Sequence, residues 1–253
     1  MPNASEPAPT KIWRYIDLAK FIDLLATKAL YFAPPASFDD PYEGYMPRSH
    51  MAAIEEMHDN YIAQMRTTRD QLLIRRPNID VEAMDKIIEA ATVQLKGAYK
   101  DVNTRFGVSC WHESAYESDA MWKLYASRGS GIAIESTTAY FRQSIANPTL
   151  VTGRVRYMDF DNDPIEKGHA HYGLFLKRHS FDYEKEFRGT ILLDIHTKGQ
   201  AVSCDLAALV QRVHVAPFAP AYFERAVRHV VATADGMQNV EVIRSPLSSE
   251  PDY

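Results

Sequence analysis

The segment FDYEKEFRGTILLDI, residues 181–195, sets Glu184, Glu186 and Arg188 at every second position ahead of an apolar run. On a strand such positions line one face, and two carboxylates about 7 Å apart suit a sugar hydroxyl or a developing cation. The same charges also fit a solvated strand entrance whose glutamates pair with Arg188, and spacing alone does not separate the two readings. A second group lies in SFDDPYE, where Asp39, Asp40 and Glu43 have the chemistry of metal ligands or hydrogen-bond acceptors. Asp in a proline turn equally caps backbone amides. The flanking Phe38 and Tyr42 point to a packed loop.

Other reactive types are scattered. Trp122 and Tyr125 are three apart in DAMWKLYA and offer either a stacking surface for a flat ligand or a core contact. His169 and His171, on the helix expected there, diverge by about 200° and would not share a metal. Cys110 and Cys204 are the only cysteines and are far apart. With no Cys/His ligand spacing, no structural metal is expected. Ser109 and Cys110 lack the glycine-flanked elbow of an activated nucleophile, and no glycine-rich phosphate loop occurs.

The elements that must position these residues follow from periodicity. KIWRYI (11–16) reads as a strand, and Asp17 caps a helix in which Leu18, Phe21, Ile22 and Leu25 share a face. ALYFA (29–33) is a second strand, closed by Pro34 and Pro35. Residues 50–103 form a polar helical insert, two helices broken at RRPNID, with Arg66, Arg69, Arg75 and Arg76 on a solvated face. RFGVSCW, SGIAIE, GRVRYMDF and TILLDI read as strands. DAMWKLYA, TTAYFRQSI and residues 164–180 read as helices, and the C-terminal part as strand–helix–strand. Mixed order without strict alternation predicts an α+β fold: a mixed, largely antiparallel sheet with flanking helices. The simplest organisation is a disordered lead-in at 1–10 and one domain over 11–253 carrying the 50–103 insert.

Composition narrows the classes. Of 253 residues, 46% are hydrophobic and 24% charged, with net charge −5, the balance of a globular chain. That charge lacks the footprint of a general nucleic-acid binder. No apolar run reaches membrane-spanning length. The polar, proline-rich start is unlike a signal peptide, and unpaired cysteines suit a reducing compartment, so a cytoplasmic location is expected.

Taken in order, WRY, YFAPPASFDDPYEG, MWKLYA followed by GIAIE, and LKRHSFDYEKEFR resemble a bacterial family known as domain of unknown function 2971. The resemblance runs from about residue 11 to 247, with Asp39 where that family usually has Asn, and it implies no activity. More distantly, Arg14, Ser109 and Glu184/Glu186 resemble the ordered Arg, Ser and Glu-x-Glu of ADP-ribosyltransferases. That likeness implies NAD as substrate, with Arg14 on a phosphate, Ser109 at the nicotinamide ribose and Glu186 stabilising an oxocarbenium-like transition state. Glu184 would orient an acceptor of unknown identity, Trp122 or Tyr125 would stack, and Asp40, Glu43 and Arg188 would contact substrate. Ser-Cys-Trp stands where those enzymes have Ser-Thr-Ser. Two alternatives remain open: a metal-dependent hydrolase or nuclease of phage defence using Asp40, Glu43 and Glu186, and a non-catalytic ligand-binding domain.

Overall fold

A computed structural model describes residues 8–97, 102–163, 170–194 and 197–249. The chain divides into two compact units, taken separately below. The first comprises Met1–Ala33, Gly107–Val155 and Tyr183–Tyr253; the second comprises Pro34–Phe106 and Arg156–Asp182.

The strands and helices run β1 (Lys11–Asp17), α1 (Leu18–Thr27), β2 (Ala29–Phe32), α2 (Arg48–Arg75), α3 (Val81–Gly97), α4 (Val102–Arg105) and β3 (Phe106–Glu113). They continue with α5 (Asp119–Tyr125), β4 (Gly131–Thr137), α6 (Thr138–Ser144), β5 (Val151–Arg154), β6 (Arg156–Met158), β7 (Leu176–Arg178) and β8 (Glu186–Leu192). The last are β9 (Gln200–Ser203), α7 (Leu206–Leu209), β10 (Arg212–Val215), α8 (Ala221–Thr233) and β11 (Glu241–Arg244).

The first unit is built on a seven-stranded sheet in the order β11-β10-β4-β1-β3-β8-β5. Pairing is antiparallel at β1–β3, β1–β4, β4–β10 and β5–β8, and parallel at β10–β11. The fold is therefore α+β with a mixed, mostly antiparallel sheet. Short polar side chains start its helices: Asp17 accepts from the Lys20 amide at 2.8 Å, and Ser118, Thr137 and Asp205 cap α5, α6 and α7 in the same way. Each cap satisfies a backbone N–H that the helix itself leaves without a partner, worth about 1 kcal/mol.

The two faces of this sheet are distinguishable. On one, Trp122 of α5 packs edge-on against Tyr15 at 5.1 Å, and Trp13 meets His214 at 4.8 Å. On the other, Phe141 of α6 meets Trp111 and Phe187, each at 5.6 Å. A Cβ on Gly189 would stand 2.5 Å from the Phe141 ring, so Phe187 and Gly189 share that side. Apolar side chains of both faces form one core.

The second unit holds the α2–α3 pair, tied by Arg69 to Asp85, and the small β6–β7 sheet. Met46, Met158, Phe160 and Leu176 form its buried cluster. The expected helical insert thus belongs to a unit that also recruits the Asp-Pro loop and 156–182. Arg66, Arg75 and Arg76 are exposed, as expected for a solvated face.

Three local expectations need correction. GRVRYMDF is not one strand: β5 pairs with β8, whereas β6 pairs with β7. The chain leaves β8 after the Val155 amide donates to the Glu186 carbonyl at 2.8 Å. The helix expected over 164–180 is instead a 3-10 turn at Ala170–Phe175, then β7 and a second 3-10 turn at His179–Glu184. Gly173 and weak apolar periodicity give an α-helix little support there. His169 and 164–168 lie outside the described residues, as do residues 1–7 of the expected lead-in. Thr10, at its end, is ordered through paired bonds with Thr138.

Candidate functional site

Arg14 projects from β1 beside β3. The β1–β3 ladder has two registered pairs, Ile12 with Glu113 and Trp13 with His112. One residue further along β1, the Arg14 Nη1 donates to the Ser109 hydroxyl at 3.2 Å and to the Cys110 carbonyl at 2.7 Å. The guanidinium also lies over the Trp111 ring at 5.9 Å. Among the described residues no carboxylate pairs with it, and Nε and Nη2 have no protein acceptor yet are not sealed from solvent. Burial lowers its proton affinity below the ordinary arginine value, with only Cys110 opposing. The group nevertheless stays charged at neutral pH. A half-buried cation held on neutral oxygens through one nitrogen presents its remaining N–H donors to an anion.

Ser109 is fully buried, and its hydroxyl also accepts from the Trp111 indole at 3.2 Å. It fixes Arg14; its contacts are to protein.

The Glu-x-Glu segment differs from its expected form. Glu184 ends a 3-10 turn, Lys185 has φ 42°, and β8 begins only at Glu186. A left-handed residue between the two glutamates breaks the strand alternation that the spacing suggested. Both are nonetheless buried. Glu186 is clasped by Arg188, Nε at 2.6 Å and Nη2 at 3.1 Å, and Arg188 is itself fully buried. Glu184 accepts from the half-exposed Tyr125 hydroxyl at 2.5 Å. The Glu184 carbonyl lies 2.6 Å from His112 Nδ1, and the Lys185 carbonyl accepts from the Glu113 amide.

Strand parity separates the expected Arg–Ser–Glu set. Ser109 and Trp111 lie on the Phe141 side of the sheet, together with Phe187. Glu186 and Arg188 alternate with Phe187 and leave from the opposite side. His112 alternates with Trp111 and shares that opposite side with Tyr15, whose ring it meets at 6.3 Å. The structure thus brings Arg14 to Ser109, and separately Glu184, Tyr125 and His112 to one another. It does not bring Glu186 to the face of Ser109.

Trp122 is core: it is fully buried, and its indole donates to Glu117 at 2.8 Å. Tyr125, by contrast, lines a shallow depression of about 550 Å³ together with Asp17 and residues 123–128. Arg128 stands there, its guanidinium 4.5 Å from the Phe218 ring.

In the second unit, Asp40 accepts from the Tyr42 amide at 3.0 Å, the turn expected of an Asp-Pro loop, and from Arg178 at 2.7 Å. Arg178 also lies 4.5 Å from the Tyr42 ring. Glu43 is buried, 3.5 Å from Lys177. Asp39 is exposed. The three carboxylates suggested for a divalent cation, Asp40, Glu43 and Glu186, therefore each face a protein cation, which competes with a metal for them.

Three residues at these sites have no role that the sequence pattern assigns: His112, an isolated histidine, Lys177 and Arg178. Lys177 and Arg178 lie inside the quoted segment LKRHSFDYEKEFR but were assigned to a helix. The position of His112, one residue past an apolar strand, carried no motif at all.

Comparison with protein-family models, with curated proteins and with solved structures finds no match for this chain.

Proposed function

We propose that the first unit binds an anionic nucleotide with Arg14 on a phosphate, that NAD is this ligand, and that the protein transfers ADP-ribose from it. The observation that carries this reading is the state of Arg14: a half-buried guanidinium anchored through Nη1 on neutral oxygens, with no carboxylate partner among the described residues. A charge so held is costly unless an anion meets it, and a planar guanidinium suits bidentate contact with phosphate. The ordered Arg14, Ser109 and Glu-x-Glu resemble ADP-ribosyltransferases in sequence order alone, because Glu186 leaves the sheet on the face opposite Ser109. Glu186 holds Arg188 and so keeps the segment in place.

Titration of the full chain with NAD, followed by measurement of nicotinamide release, tests the reading. Wild type is expected to bind NAD. Arg14→Met should weaken binding at least about tenfold, as expected for loss of a charge-assisted contact. Wild type is also expected to release nicotinamide, and Arg14→Met should release less in step with its weaker binding. Absence of NAD binding by the wild type overturns the proposal.

A second reading is a non-catalytic ligand-binding domain. The closed Glu186–Arg188 pair favours it, since a carboxylate already neutralised is poorly placed for chemistry. Binding of NAD without nicotinamide release by the wild type would select it.

A further inference from the structure

The depression beside α5 holds a cation whose hydrogen bonds the fold does not satisfy. It measures about 550 Å³ and is lined by Asp17 and residues 123–128, a size within the range of small-molecule sites. Arg128 stands there half-buried, its guanidinium 4.5 Å from the centre of the Phe218 ring. Among the described residues this guanidinium makes no hydrogen bond. Its Nε is sealed from solvent without an acceptor. Its one charge contact is Nη2 with Asp119 Oδ1 at 3.0 Å, and that oxygen is also without a hydrogen bond.

Asp119 is shared between two cations, since its Oδ2 also pairs with Lys123 Nζ at 2.7 Å, one turn along α5. Asp17, the other carboxylate of the lining, is engaged elsewhere: it caps α1 on the Lys20 amide at 2.8 Å and meets Lys20 Nζ at 3.2 Å. Lys123 and Arg128 are thus left with one positive charge that Asp119 does not balance. Beside them lie Leu124, 57% exposed, and Tyr125, 47% exposed, whose hydroxyl is fixed on Glu184.

A guanidinium stacked on an aromatic ring offers parallel N–H donors that match a carboxylate, and the sealed Nε leaves the Nη1–Nη2 edge for that contact. A single unbalanced charge complements a monoanion better than a doubly charged phosphate. We infer that the depression is a binding site for a small organic carboxylate with an apolar or aromatic body. The carboxylate takes the Nη1–Nη2 edge of Arg128, Lys123 adds attraction, and the body lies on Leu124 and the Tyr125 ring. α5 packs on the Tyr15 side of the sheet through Trp122, opposite the side on which Ser109 anchors Arg14. The site is therefore separate from Arg14 and does not depend on the NAD reading.

Benzoate is the probe, titrated into the full chain and followed by ligand-observed NMR, with benzamide as its neutral counterpart and inorganic phosphate as the competing anion. Wild type should bind benzoate saturably and the other two clearly more weakly. Arg128→Gln should lose about tenfold or more in benzoate affinity, as expected for a missing charge-assisted pair. Asp119→Asn, which removes the carboxylate shared by both cations, should bind benzoate more tightly, and Arg14→Met should bind it as wild type does. Thermal melts check that each variant is folded, and Asp119→Asn decides the matter if Arg128→Gln is not. No saturable benzoate binding, equal binding of benzamide, preference for phosphate, unaltered affinity in Arg128→Gln or no tightening in Asp119→Asn overturns the inference. So does a loss confined to Arg14→Met, which would move the carboxylate to Arg14.

Discussion

Glu186 and Arg188, two residues apart on β8, close into a two-point ion pair inside the protein, at 2.6 and 3.1 Å, with Arg188 inaccessible to solvent. Neighbours two apart on a strand point the same way, so the sequence spacing itself makes this clasp possible. The pair is a structural feature first. Any loss of activity on altering Glu186 must therefore be read against stability.

Removing one partner of such a pair leaves a buried charge. Glu186→Gln is expected to destabilise the protein by about 3–5 kcal/mol. Replacing both, as Glu186→Leu with Arg188→Met, should cost clearly less than the single change. Urea unfolding of the three variants checks the order, and equal losses would show that the charge pairing is not what matters.

Arg14 should behave in the opposite way. Arg14→Met removes a cation that no carboxylate balances, so Tm is expected to stay level or rise. ADP-ribose should raise the Tm of wild type and leave that of the variant unmoved. A marked fall in the variant's Tm would make Arg14 a structural residue.

Stability should fall on mild acidification. Burial lowers the proton affinity of His112 and of His214 below the ordinary histidine value of 6.5; at His214 the carboxylates of Glu135 and Glu117 oppose this, and Arg212 adds to it. The unfolded chain therefore takes up these protons first as pH falls. Native stability is complete above pH 6.5 and is lost from there down to the lower folded values. Thermal melts across this range should show the decline, and it should be shallower in His214→Gln. A flat profile through the window would contradict it.

The two thiols should be unequal. Burial pushes the Cys204 thiol up to about 11, against a backbone bond from Leu30. Iodoacetamide at mildly alkaline pH should leave Cys204 intact in the native protein and alkylate it only on unfolding. Cys110, half-buried on β3, should react first.

Much of the scaffold is legible in the sequence alone. Asp17 announces the start of α1 because its carboxylate needs only the amide three residues on. The break at RRPNID, the helix at DAMWKLYA and the strand at SGIAIE are likewise local choices of backbone and side-chain period. From these the α+β class follows. The candidate site was partly legible: Arg14 and Ser109 were named as partners of one function, and they touch across 95 residues of chain.

What sequence could not carry is the identity of each charge's partner. Asp40 meets Arg178 across 138 residues, and His112 meets Glu184 across 72, distances in the chain over which no periodicity speaks. The place of Glu184 depended on a single left-handed residue, Lys185, which moved it off the strand and under Tyr125. The Arg–Ser–Glu order, read as convergence, was undone by parity, because Glu186 alternates with Phe187 and Phe187 is claimed by the Phe141 side of the core. The sequence by itself determined where helices and strands form, since those depend on neighbours a few residues away. The tertiary structure alone decided which face each functional group takes, since burying the aromatic side chains fixes the sheet's two sides and every alternating charge must follow.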